Sequence, residues 1–166
     1  IAEQLLAKEK ERAEIEAAEQ RRIEAGYVRV AGTAKRLWDS HADRPAPADH
    51  PYIAKKGIDP EGLRVTRNGT LLVPVHDATG ALQTLQRIWL DGGKRGLFGG
   101  RRRGGRLILG EVTQDKPVLF CEGVATGKSL HRSTGLPVVV CFSAGNLRGV
   151  MREWRGQNPD QVLVTA

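Results

Sequence analysis

Cysteine, methionine and aromatic side chains are scarce in these 166 residues: two Cys, one Met, three Trp, two Tyr and three Phe. Two cysteines with no close-set partners exclude a structural zinc site. Cys121 and Cys141 each sit inside an apolar run, which predicts buried, reduced thiols on neighbouring strands. Long apolar runs are also missing. None approaches the roughly 20 residues of a membrane helix, which argues against a membrane partner. No secretory leader is visible, and the opening at Ile1 reads as an excerpt of a longer polypeptide with a cytoplasmic default. Glycine and proline are absent from residues 1–25, which are rich in Ala, Glu, Lys, Arg and Gln, a strongly helical composition. Apolar residues there are few (Leu5, Leu6, Ile15, Ile23), too sparse for a coiled-coil seam, so a long solvated arm is expected.

Acid is in short supply relative to base. Nineteen Asp and Glu face 26 Lys and Arg, for a formal net charge of +7. A basic balance suggests a polyanionic partner, and its placement is informative. Residues 87–106 hold seven basic side chains (Arg87, Lys94, Arg95, Arg101, Arg102, Arg103, Arg106) and one acid, Asp91. Glycines between them let backbone approach a phosphate chain, and arginine forks bind phosphates bidentately. This predicts salt-sensitive contact with phosphates, to which Lys55 and Lys56 are candidate additions.

In chain order, Gly26 is expected to interrupt the first helix. A second would follow from about Tyr27 to Ser40, with Ala31, Ala34, Leu37 and Trp38 on one face. Residues 43–51, DRPAPADHP, form a proline-rich break, and a short helix at Tyr52–Lys56 stops at Gly57. Alternation then predicts an antiparallel sheet from strands at 71–75, 82–89, 94–98 and 106–109. After Pro117 the pattern becomes β-α-β-α-β: strands 118–121, 137–142 and 161–165, with helices at about 125–133 and 147–156, the mark of a parallel sheet. The expected architecture is α+β: a helical arm (1–42), a basic antiparallel subdomain (43–115), and an α/β unit (116–166).

The stretch PVLFCEGVATGKS, residues 117–129, concentrates the chemistry. Gly123 to Ser129 approaches the phosphate-loop pattern G-x-x-x-x-G-K-[ST], but only three residues separate Gly123 from Gly127, and Glu122 would repel the phosphates. Glu122 itself follows an apolar strand and precedes a helix, where open α/β sheets place their ligands. A carboxylate there can act as a general base or help hold a divalent cation. Gly123, Ser143, Gly145 and Asn146 are candidates to line the same crevice, with Asn146 also a candidate N-cap for the following helix. The three tryptophans read as core or half-buried side chains, and the four histidines form no ligand set.

Together these segments resemble the TOPRIM-domain DNA primases carried by conjugative plasmids, mobile elements and phages. The matching stretches are His50–Gly57, Leu72–Val75 with Asp77 and Gly80, Leu85–Gln86, Gly93–Arg95, Cys121–Thr126, Thr134–Val139 and Ala144–Leu147. The resemblance implies synthesis of short RNA primers on single-stranded DNA from ribonucleoside triphosphates, using Mg²⁺ or Mn²⁺. Glu122 matches the catalytic glutamate of such domains. Their metal-holding Asp-x-Asp motif would follow the strand matched by Val162–Ala166, beyond this sequence. The expectation is therefore an incomplete metal site at Glu122, a stretch inactive by itself, and helicase or relaxase domains elsewhere in the same polypeptide. The alternatives are a non-catalytic nucleic-acid-binding module of a relaxase or plasmid-transfer protein, and another TOPRIM enzyme such as a topoisomerase or nuclease.

Overall fold

A computed structural model describes residues 2–166. The first element is a single helix, α1 (Ala2–Asp39), about 57 Å long at the α-helical rise per residue. Gly26 does not break it, contrary to the expectation from sequence. A mid-helix glycine costs only about 0.8–1.0 kcal/mol relative to alanine, and the strong helix formers around it outweigh that. Residues 3–23 are exposed; beyond them Tyr27, Val30, Ala31, Ala34, Leu37 and Trp38 turn one face onto the protein. Arg64 finishes the helix: its guanidinium stacks on the Trp38 ring at 3.9 Å and donates to the Trp38 carbonyl at 2.5 Å. A cation there suits the negative end of the helix dipole.

The short helix α2 (Pro51–Lys56) is capped by His50, whose Nδ1 accepts from the Tyr52 N–H, and ends at Gly57 in the left-handed conformation. Strands β1 (Arg64–Val65), β2 (Leu71–His76), β3 (Leu82–Ile88) and β4 (Lys94–Gly96) form an antiparallel sheet in that spatial order. Period-two alternation divides its faces. Leu72 and Leu85 pack with Ala34 under α1, while Leu71, Val73 and Ile88 join the main core on the other side.

The second sheet has the order β5-β7-β6-β8, from β5 (Leu107–Leu109), β6 (Val118–Cys121), β7 (Val138–Val140) and β8 (Leu163–Thr165). β6, β7 and β8 are parallel, as their spacing predicts, while β5 runs antiparallel along β7. Residues 107–109 were expected in the first sheet; they sit in the second and make it mixed. The reason is local. His76 and Arg106 exchange backbone hydrogen bonds at 2.8 Å, handing the chain from the end of β2 to the edge of β7. Helix α3 (Val124–Thr134) covers the face of Leu119, Cys121, Val138 and Val140; α4 (Ala144–Gln157) covers that of Val118, Phe120, Val139 and Cys141. The whole is an α+β fold with an N-terminal helix. No described helix is long and apolar enough to cross a membrane.

Candidate nucleic-acid and nucleotide site

Adjacent parallel strands β6 and β7 send their chains to helices on opposite faces of the sheet. That arrangement opens a crevice at their C-terminal ends, where open α/β sheets bind ligands. The Cys121 carbonyl accepts from the Cys141 N–H at 2.8 Å, so the Glu122–Gly123 turn and the Phe142–Ser143 turn lie side by side. Glu122 is exposed, and among the described residues it has no hydrogen-bond or ion-pair partner. Gly123 caps α3 without a side-chain bond. Phe142 adopts φ +67°, the one non-glycine positive φ among the described residues. A bulky residue in that region is strained, and such strain tends to be stored at functional turns.

Beside these turns a cavity of about 330 Å³ opens between the two sheets. One wall is the end of β7 and the start of α4, with Phe142, Ser143 and Asn146; the other is Thr84, Gln86, Lys94 and Arg95 of β3 and β4, with Arg102 from the loop beyond. Thr84 is 3% exposed, and its hydroxyl has no hydrogen-bond partner. That hydroxyl lies against Gly100, where a Cβ would clash with it, so it is packed under the loop and does not open into the cavity.

The loop carrying the arginines is anchored by its backbone. The bulge in β3 leaves Gln83 out of register with β2, and its side-chain amide donates to the carbonyls of Arg101 (2.6 Å) and Arg103 (3.2 Å). Asn146 reaches across from α4. Its Oδ1 accepts from the Gly104 N–H at 2.8 Å, and its Nδ2 donates to the carbonyls of Gly105 (2.7 Å) and Cys141 (2.8 Å). A Cβ at Gly105 would lie 2.6 Å from Val75. With its backbone fixed, the loop leaves Arg101, Arg102 and Arg103 exposed.

The predicted residues are distributed unequally. Lys94, Arg95, Arg102, Ser143 and Asn146 meet at the cavity; Glu122 does not line it and is connected to its Phe142–Ser143 wall only through the Cys141–Cys121 backbone bond. Arg101 lies towards α1, 3.5 Å from Glu24 and over the Tyr27 ring. Arg106 is turned inward: it is 3% exposed, its guanidinium pairs with Glu153 at 2.5 Å, and its Nε donates to the Gly104 carbonyl. The run of basic residues drew it into the phosphate track, but the β2–β5 bridge points its side chain beneath α4. Lys55 is exposed on α2, and Lys56 shares a shallow groove with Thr126 and Ser129 of α3. Gly145 is exposed in the first turn of α4. The cap of that helix is Ser143, whose hydroxyl accepts from the Asn146 N–H at 3.3 Å, rather than Asn146 as expected. Thr84 and Gln83 carried no signal in the sequence, since only the register of β3 aims them.

The phosphate-loop pattern dissolves on inspection. Lys128 is buried, donates to the Glu61 carbonyl at 2.7 Å, and has its pKa lowered by desolvation, against the attraction of Asp59 and Glu61. Gly127 is a packing residue, because a Cβ there would collide with Val140 of β7. Both cysteines are buried thiols, Cys121 closing β6 and Cys141 just past the end of β7, with pKa pushed up by burial to about 11 for Cys121 and about 12 for Cys141.

The chain is similar to part of a bacterial DNA primase. A protein named DNA primase TraC from Escherichia coli is 32% identical over 167 residues, spanning 95% of this chain and 12% of that protein. Another of the same name and organism is 31% identical over 121 residues, spanning 70% of the chain and 11% of its own length. The chain therefore spans about an eighth of the length of the curated relatives it matches. No family model matches it, and no solved structure does.

Proposed function

We propose that this chain is the strand- and nucleotide-handling part of a primase-like nucleotidyltransferase of the TOPRIM type. The observation that supports the reading is an exposed, unpartnered Glu122 at the end of β6, one strand over from the β7 end that walls a basic cavity between the two sheets. Lys94, Arg95 and Arg102 hold phosphates of template or ribonucleoside triphosphate there, with Arg101, Arg103, Lys55 and Lys56 extending the track over the surface. Ser143 and Asn146, with the small residues Gly123 and Gly145, shape the crevice. In this reading Glu122 takes a proton from an attacking hydroxyl.

Primer synthesis of this type uses Mg²⁺ or Mn²⁺, which neutralises developing charge on the phosphates. The described residues do not fit such an ion as a resident site. No three His, Cys, Asp or Glu side chains among them converge, and no carboxylate lines the cavity. We expect the 166 residues alone to bind divalent metal weakly and to make no primers, and a metal titration with a primer-synthesis assay of the chain tests both. In a full-length polypeptide carrying this stretch, Glu122→Gln abolishes primer synthesis, while affinity for single-stranded DNA stays within about fivefold, since one exposed charge is worth under about 1 kcal/mol. Retained synthesis by that variant would falsify the role of Glu122. It would favour the second reading, a non-catalytic nucleic-acid-binding module, which the isolation of Glu122 from other acids supports.

A further inference from the structure

Phe98 is 98% exposed, more open to solvent than any other large apolar side chain among the described residues. A single exposed apolar side chain is ordinary. Here the mounting of the ring carries the argument. Leu97–Gly100 form a turn closed by the Gly100 N–H on the Leu97 carbonyl at 3.1 Å, with Gly99 at φ +71° in the third position, where a type II turn calls for glycine. The turn is fastened on every side. Leu97 packs with Ala34, Leu72 and Leu85, and its N–H donates to the Leu85 carbonyl at 3.1 Å. Gly99 lies against Val30 of α1, and Gly100 sits so close to Thr84 that a Cβ would clash with it. A turn fastened at Leu97, Gly99 and Gly100 thus holds an aromatic ring out in water, in a loop whose sequence neighbours Arg95, Arg101, Arg102 and Arg103 are themselves exposed.

A ligand that satisfies both chemistries must offer closely spaced negative charges and flat apolar faces. A duplex offers the charges but keeps its base faces in the stack. An unpaired strand offers both, and stacking on an aromatic ring tolerates any base because every base has a π-face. We infer that Phe98 is a base-stacking platform for an unpaired DNA strand whose phosphates the flanking arginines hold. The inference rests on the strand-binding reading above and adds a contact to it that charge alone does not supply.

The test is a fluorescence-anisotropy titration of the 166-residue chain against labelled oligo(dT) at several salt concentrations. Phe98→Ala weakens binding by about 5- to 150-fold, the range a stacked base contributes, and leaves the slope of log affinity against log salt unchanged, because no phosphate contact is lost. Charge reversal of Arg101, Arg102 and Arg103 weakens binding and flattens that slope. Phe98→Trp keeps the affinity, and its added indole emission is quenched by oligo(dT) but not by an abasic sugar-phosphate oligomer of the same length. Thermal melts of all variants match the parent, since an exposed ring carries little of the fold. Wild-type affinity in Phe98→Ala together with a weakened arginine variant overturns stacking and leaves strand binding standing. An equal loss of abasic-oligomer binding in Phe98→Ala, or a changed salt slope, also overturns it. A parent chain without affinity for oligo(dT) overturns both readings.

Discussion

Asn146 spends its whole side chain on three backbone groups, two in the glycine-arginine loop and one at the end of β7. Replacing it with alanine leaves an N–H and two carbonyls without that partner in a half-buried place. The expected loss is about 1–3 kcal/mol, the range for stranding buried polar groups. Asn146→Asp fares no better, because it keeps the acceptor for the Gly104 N–H but sets a carboxylate against two carbonyl oxygens. Urea melts measure the loss, and hydrogen exchange at the Gly104 amide shows whether the loop is released before global unfolding. At this scale the sequence was informative about chemistry and poor about direction. Asn146 was singled out as a crevice residue or helix cap; its role as a bolt between the two halves depends on contacts more than forty residues apart. Arg106 counted as one basic residue among seven, yet a single backbone bridge turned it inside. Phe98 drew no notice, since exposure is a property of the folded turn.

The same substitution at two helical glycines gives opposite results at the scale of elements. Gly26, in α1, has open space where a Cβ would go. Gly26→Ala therefore stabilises the helix by about 0.5–1 kcal/mol through propensity alone. Gly127, in α3, lies so close to β7 that a Cβ would meet Val140, with the Cys121 sulfur 3.2 Å away. Gly127→Ala is expected to cost about 1–3 kcal/mol, as overpacking a tight core does. Thermal melts of the two variants check both signs. Most elements could be read from periodicity: α2 with its glycine stop, the β2–β3 pair, and the alternation of β6, α3, β7, α4 and β8. The misreadings have physical causes. A glycine is a weak breaker inside a strong helix, so α1 runs through it. A three-residue strand such as β5 has no pattern that says which sheet it joins, and only its bridge to His76 decides.

The two sheets behave as one body because the joints between them are buried. Leu71, Val73 and Ile88 of the first share a core with Leu119, Val138 and Val140 of the second, and the His76–Arg106 bridge and Asn146 pin the rims. Unfolding is therefore expected to be a single cooperative transition, and His76 makes it sensitive to pH. Its side chain is half-buried at the joint, in a cavity of about 370 Å³ shared with Asp77, Arg106 and Trp154. Burial lowers its pKa below the usual 6.5, only partly opposed by Asp77. A base whose folded pKa lies below its unfolded value binds fewer protons when folded. Stability then rises with pH through that interval, is fully present above about 6.5, and falls as the pH drops towards the folded value. Melts between pH 7.5 and 5 should show the midpoint falling on acidification, with far-UV and tryptophan signals moving together, since Trp38 reports the first sheet and Trp154 the second. His76→Gln, which cannot take up the proton, should flatten that dependence between pH 6.5 and 5. An unchanged slope in the variant would mean that His76 does not carry it, and two separated transitions would mean that the joint does not unite the sheets.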